Sequence, residues 1–215
     1  MDKIILSQVL PVVFEERRSN MKSDIWLKDL SFQKGETILV EAESGTGKSS
    51  LCSYIFGYRK DFTGQILFDE KDINRLKVQE WVNIRKSSLS ILWQELRMFP
   101  ELTALENVHI KNDLTHYQSE EQIKEWFEEL GIADKQDAKI GRMSFGQQQR
   151  VAMIRSLCQP FDFIFADEPI SHLDERNSGI MGNILISEAQ KQGAGVIVTS
   201  IGKHMELDYD KVLKL

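Results

Sequence analysis

The sequence predicts an α/β fold in which helices cover both faces of a parallel sheet, and three observations predict it. Short apolar runs alternate with helix-length segments through most of the chain. Residues 42–50, Ala-Glu-Ser-Gly-Thr-Gly-Lys-Ser-Ser, form a glycine-rich turn between one such run and a helical segment. Residues 161–168, Phe-Asp-Phe-Ile-Phe-Ala-Asp-Glu, read as a hydrophobic strand that delivers two carboxylates at its C-terminal edge. Ligands of open α/β sheets lie at that edge.

The elements follow in order. The first 70 residues read as strand-rich: Lys3 to Val13, Ile25 to Phe32, Thr37 to Glu41 and Gln65 to Phe68, with a turn at Gln33-Lys34-Gly35. A helix near Lys48 to Phe56 follows the glycine-rich turn. Ser88 to Trp93 is a compact apolar run ending in Gln94, which suits a buried strand whose polar last residue enters a site. From there to about residue 157 the character is helical. Ile123, Trp126, Phe127 and Leu130 fall at i, i+3, i+4 and i+7, one apolar face against an acidic one, with Gly131 as the stop. After the 161–166 strand come a helix (Glu175 to Gln192), a strand (Gly195 to Ser200) and a last strand near Lys211 to Leu215.

A chain of 215 residues is one large domain, or a core with an inserted subdomain. Hydrophobic residues at 41% and charged ones at 28% describe a soluble globular protein with a substantial core. The net charge of −6 weighs against a general nucleic-acid binder, which wants a basic face. No apolar run approaches the ~20 residues that span a bilayer. Ile4 to Phe14 resembles a short signal core, but it contains Gln8 and Pro11 and runs straight into Glu15-Glu16-Arg17-Arg18, so strands are the reading. Cys52 and Cys158 fall in predicted helices and read as buried structural thiols in a reducing cytoplasm.

The chemistry concentrates in three places. In the 42–50 turn (Ala42, Glu43, Ser44, Gly45, Thr46, Gly47, Lys48, Ser49, Ser50), Gly45 and Gly47 let backbone N–H groups fold around an anion. Lys48 supplies a fixed charge to the β/γ-phosphates and the Ser49 hydroxyl is placed to ligate Mg²⁺. Such a loop binds a nucleoside triphosphate. Ala42 stands where the pattern has its first glycine, which is tolerable if that position needs tightness rather than a positive φ. Asp167 is positioned to hold Mg²⁺, and Glu168 to orient or deprotonate a water attacking the γ-phosphate. Ser144-Phe145-Gly146-Gln147-Gln148-Gln149-Arg150 opens a helix. Ser144 as N-cap with Gln147 three residues on has capping-box spacing, and the helix N-terminus is a candidate second anion site.

In order and spacing the chain resembles the ATP-binding subunits of ABC transporters over essentially its whole length. The phosphate loop comes first, then a glutamine loop at Gln94, a signature Met143-Ser144-Phe145-Gly146-Gln147, the Asp167-Glu168-Pro169 group and an aspartate loop Ser171-His172-Leu173-Asp174. The run Phe99 to Val108 looks most like the group serving lipoprotein release, macrolide export and cell-division signalling. The resemblance implies a P-loop NTPase of the ABC type, a single domain over 1–215. It has a parallel-sheet core and an N-terminal antiparallel β subdomain (about 1–94 and 158–215), with an inserted helical subdomain (about 95–157).

It also implies a head-to-tail dimer, of identical or different ATPase subunits, with ATP and Mg²⁺ between them. One subunit would offer Lys48, Ser49, Gln94, Asp167 and Glu168, with Ser49, Gln94 and Asp167 at the metal; the other would offer Ser144, Gly146 and Gln147. The implied partner is an integral membrane permease, with this chain peripheral at the inner face of the plasma membrane, not inserted in it, and binding no nucleic acid. Met98 and Phe99 lie where the family receives a permease helix; filling the subdomain core is the other reading of both. Departures are visible. Ser200 occupies the place of the family's switch histidine, with His204 four residues on, and Phe145 replaces a glycine. The aromatic that stacks on adenine is not evident; Phe14, with Arg17 as a cationic substitute, is the candidate. Glu168 argues for an ATPase, slowed by Ser200. The alternative is a low-turnover regulatory ATP-binding module gating a membrane partner. ATPases acting on DNA or ribosomes usually carry duplicated cassettes or coiled-coil insertions, which this chain lacks.

Overall fold

The computed structural model describes residues 1–43 and 45–215. In chain order its strands and helices are β1 (Lys3–Pro11), β2 (Asp29–Gln33), β3 (Thr37–Glu41), α1 (Lys48–Ile55), β4 (Phe62–Phe68), β5 (Lys71–Asp72), α2 (Val78–Ser87) and β6 (Leu89–Leu92). There follow α3 (Ala104–Asn112), α4 (Glu120–Glu129), α5 (Phe145–Leu157), β7 (Phe163–Asp167), α6 (Glu175–Gln192), β8 (Gly195–Ser200) and β9 (Lys211–Lys214). Two sheets result. An antiparallel one runs β2-β1-β4-β5, and a parallel one runs β6-β7-β8-β3-β9.

The central strands β7 and β8 are buried along their whole length, edge strand β9 is not, and the two-residue period of the parallel strands divides the interior. Phe163, Phe165, Ile197, Ile38 and Val40 join α1 and the antiparallel sheet in one apolar cluster. Ile164, Ala166, Val196, Val198 and Leu39 join α3, α4, α5 and α6 in the other. Helices α3 to α6 are each started by a side chain that satisfies orphan N–H groups. Thr103 and Glu106 form a capping box on α3, Ser119 caps α4, and Asp174 accepts from Asn177 N–H at 2.8 Å to start α6. Gly193 ends α6 in the left-handed region at φ 60°.

Three expectations about elements change. The strand expected over Ile25 to Phe32 begins only at Asp29, because the Ser23 hydroxyl accepts from the N–H groups of Ile25 and Trp26 and Leu27 turns at φ 59°. The first strand ends at Pro11, and Val12–Asn20 winds as 3₁₀ turns. Helix α2 was not expected; only Trp81 of its residues is buried, so its periodic signal is weak. No helix among the described residues is long and apolar enough to cross a membrane.

Candidate active site

The site forms where β3, β7 and β8 end side by side. Ala42 continues β3, its N–H donating to Ser200 C=O at 3.0 Å, and its φ is outside the left-handed region, so a methyl group is no obstacle. The Glu43 carbonyl accepts from the Thr46 hydroxyl at 2.8 Å. Gly47 lies at φ 102°, and a Cβ there would sit 3.0 Å from the Phe14 ring and 3.1 Å from Trp26. Trp26 also donates from Nε1 to Thr46 C=O at 3.0 Å, so two aromatic side chains brace the loop from below. Ser44 lies outside the described residues.

Lys48 opens α1 and is almost fully buried, its Nζ 3.3 Å from Glu168 Oε1. Glu168 stands at φ 49°, a conformation that costs a non-glycine residue about 1 kcal/mol or more and is held by its neighbours. Its N–H donates to Thr199 C=O at 3.1 Å, and its own carbonyl accepts from Gln149 Nε2 of α5 at 3.4 Å. Asp167 is 2% exposed and accepts from the Thr199 hydroxyl at 2.5 Å. Burial pushes its carboxyl above the ordinary carboxylate range. The Thr199 hydrogen bond pulls the other way, the charge of Glu168 adds to the rise, and Lys48 opposes it.

A cleft of about 360 Å³ opens onto this group, lined by Gly45, Gly47, Lys48, Ser49, Gln94 and Glu168, with Phe14 and Ile201 at its sides. Phe14 also borders a neighbouring recess of about 440 Å³ that takes in Arg17, Glu43 and Thr46. Ser50 also lines the cleft, its hydroxyl accepting from Arg59 at 2.9 Å. For Mg²⁺ the donor set is hydroxyl, amide and carboxylate oxygen, the hard ligands that suit it, and Thr199 occupies only Oδ1 of Asp167.

Other candidate residues are not in this cleft. Ser144, Gly146 and Gln147 stand at the exposed start of α5. There Ser144 Oγ accepts from Gln147 N–H at 3.3 Å, and Gln147 Oε1 accepts from Ser144 N–H at 2.9 Å. That end packs on the loop before α6: a Cβ on Gly146 would sit 3.3 Å from His172 C=O, and the Phe145 ring meets His172 edge-on at 4.4 Å. Ser200 is 2% exposed, and its hydroxyl donates to Lys203 C=O at 2.5 Å instead of facing the cleft. The reason is local: the chain bends sharply after β8, and the short side chain satisfies that bend. His204 sits by Met205 C=O at 3.0 Å with its ring against Tyr209. Phe99 is exposed, whereas Met98 is half-buried against the helical cluster.

Sequence reasoning missed Thr199, Gln149 and Trp26. Thr199 becomes visible only once the register is known, since β7 and β8 pair Asp167 with Thr199. Gln149 lay inside the glutamine run 147–149 with nothing to single it out, and Trp26 sat in a stretch read as strand.

Comparison with known proteins gives the family and the fold. Residues 27–171 match the family described as ABC transporter. The lipoprotein-releasing system ATP-binding protein LolD of Koribacter versatilis is 32% identical over 163 residues, 74% of this chain and 73% of that protein. The dimeric structure of MJ0796, a bacterial ABC transporter cassette, superposes with a TM-score of 0.77 at 26% identity, covering 92% of this chain and 87% of that one. A dimeric post-hydrolysis state of MJ0796 bound to ADP and Pi superposes at 0.72 over the same shares. The chain belongs to the ABC transporter family and has the fold of its ATP-binding cassettes.

Proposed function

We propose that this chain binds and hydrolyses ATP as the energising subunit of a membrane transporter or transmembrane signalling complex, through ATP-driven dimerisation. The single observation that carries the reading is the Lys48–Glu168 pair beneath a glycine loop, in the cleft that also holds Ser49 and Gln94. The γ-phosphate would draw Lys48 away from Glu168 and leave that carboxylate free to take the proton of an attacking water. The loop N–H groups from Gly45 to Ser49 would cradle the phosphates. Mg²⁺ would be held by Ser49, Gln94 and Asp167 and would neutralise charge on the β/γ-phosphates.

Ser144, Gly146 and Gln147 do not reach this chain's own cleft, and the start of α5 is exposed. A second subunit facing head to tail would bring its α5 N-terminus, with its positive end, to the phosphates. ATP then becomes part of the interface, and its hydrolysis weakens the closed form. The LolD relative is the ATP-binding protein of a lipoprotein-releasing system, which supports a membrane permease as partner and a place at the inner face of the plasma membrane. The test is Glu168→Gln. It should hold ATP, run as a dimer on gel filtration with ATP, and lose at least about 100-fold in turnover. Hydrolysis at the parent rate would refute the role of Glu168.

A second reading, a slow regulatory module gating a membrane partner, is favoured by the buried Ser200 hydroxyl, which leaves position 200 without a group aimed at phosphate. Under it, Ser200→His raises turnover of the purified dimer. Unchanged turnover would remove Ser200 as the limiting group.

A further inference from the structure

Helix α1 begins in the nucleotide cleft, and the chain that leaves its far end folds back along it. Gly57 makes the reversal at φ 66°, where a Cβ would sit 2.5 Å from the Trp81 ring. The N–H groups of Tyr58 and Arg59 then donate to Ser53 C=O at 2.8 and 3.3 Å, and the Arg59 side chain runs back towards the start of the helix. There it meets Ser50, donating from one terminal nitrogen to Oγ at 2.9 Å. The rest of the guanidinium holds the Asp61 carboxylate as a fork, Nε to Oδ1 at 2.9 Å and the other terminal nitrogen to Oδ2. Tyr54 stands one turn after Ser50 on the same face of α1. Its ring centroid lies 5.3 Å from the guanidinium carbon, and its hydroxyl donates to Asp61 C=O at 3.1 Å.

Every nitrogen of the guanidinium is therefore engaged, and the contact with Ser50 has a fixed direction. A guanidinium only donates, so Ser50 meets Arg59 with a lone pair and keeps its single O–H to give elsewhere. Ser50 lines the cleft together with Gly47, Lys48 and Ser49. The Tyr54 phenol is a neutral acceptor for the Ser50 proton. A phosphate oxygen in the cleft is charged and is the stronger acceptor. Accepting from a cation also polarises the hydroxyl and strengthens the bond it donates in turn. Arg59 and Asp61 are both partly exposed, so their ion pair adds little stability. What the planar fork fixes is direction.

We propose that Arg59 is a positioning residue for nucleotide binding: clamped by Asp61, it occupies the acceptor side of Ser50 and turns that hydroxyl into a donor for a phosphate oxygen of the nucleotide. Arg59 acts through Ser50 and does not itself touch the ligand. The proposal rests on the reading of the cleft as an ATP site and deepens it, extending the site from the phosphate loop to the turn that follows α1.

The test titrates the full chain with a fluorescent ATP analogue and records a thermal melt of each variant. Ser50→Ala should weaken binding about tenfold, as expected for one hydrogen bond to a charged acceptor. Arg59→Met should weaken it about fivefold in the parent and cause no further loss in Ser50→Ala, where no hydroxyl remains to orient. Asp61→Asn, which loosens the fork and leaves the phosphate loop untouched, should give a smaller loss that also vanishes in Ser50→Ala. Unweakened binding in Ser50→Ala or in Arg59→Met would overturn the proposal. So would an equal loss from Arg59→Met with and without the Ser50 hydroxyl, since the guanidinium would then act on the nucleotide directly or through the fold alone. If Arg59→Met does not fold, the same outcomes in Asp61→Asn decide. Lys48→Ala is read in the same titration: binding at the parent affinity there would sink the ATP reading of the cleft, whatever Arg59 does.

Discussion

Thr199→Val removes one hydrogen-bond donor from beneath the site and keeps the shape of the side chain. The Thr199 hydroxyl donates to a buried Asp167 carboxylate at 2.5 Å, and at 2% exposure little water stands ready to replace it. A hydrogen bond to a charged group contributes about 1.5–3 kcal/mol, and the orphaned carboxylate carries the loss. Because burial already raises the Asp167 pKa, the folded state holds the proton more tightly than the unfolded chain, whose value is about 3.9. The penalty of the ionised form is therefore complete above the folded pKa and is relieved as pH falls through it. Valine raises that pKa further, so the deficit should be largest at neutral pH and shrink towards acid. In urea, with an m-value of about 2 kcal/mol/M, the midpoint at pH 7.5 should fall by about 1 M. Asp167→Asn in a double-mutant cycle should recover most of the difference. A deficit below about 0.5 kcal/mol, far under the range for a charged acceptor, or one that does not shrink as the pH is lowered towards the unfolded-state value, would refute the argument.

Other outcomes follow from the same geometry. Gly47→Ala forces a side chain into φ 102° and against Phe14 and Trp26, so it should destabilise by about 1–3 kcal/mol and abolish binding of a fluorescent ATP analogue; a variant that binds normally would show that the loop yields at this point. Ser144→Ala removes the α5 cap, a loss of about 1 kcal/mol in thermal melts. If its hydroxyl also serves the opposing subunit, ATP-dependent dimerisation by light scattering should weaken while the monomer's affinity for ATP stays constant. Equal loss of both would place Ser144 inside its own chain's site.

What was legible in the sequence was whatever the chain encodes locally. The bounds of β3, β8 and α6 could be read because apolar runs end at turn residues and because Asp174 and Gly193 mark the two ends of α6. The phosphate loop was legible because glycines, lysine and serine must be close in sequence to surround one anion. Failures came where neighbours through space decide. The strand expected from Ile25 is halted by the Ser23 hydroxyl together with the turn at Leu27, which no alternation of apolar residues reports. Helix α2 buries one residue and so shows almost no stripe. Gln149 reaches Glu168 only after α5 and β7 have packed, and Thr199 meets Asp167 only in one register. The direction of Ser200 is set by the bend that follows it, which no periodicity reports.

Both cysteines sit in the interior, Cys52 in α1 and Cys158 at the end of α5, and burial raises their thiols far above neutral pH. The native chain should therefore react little with maleimides. A single cysteine introduced on an outer face, beside Ser144 for example, can carry a spin label or fluorophore without first stripping the protein of its own sulfhydryls, and the approach of two subunits becomes a distance that can be followed in real time.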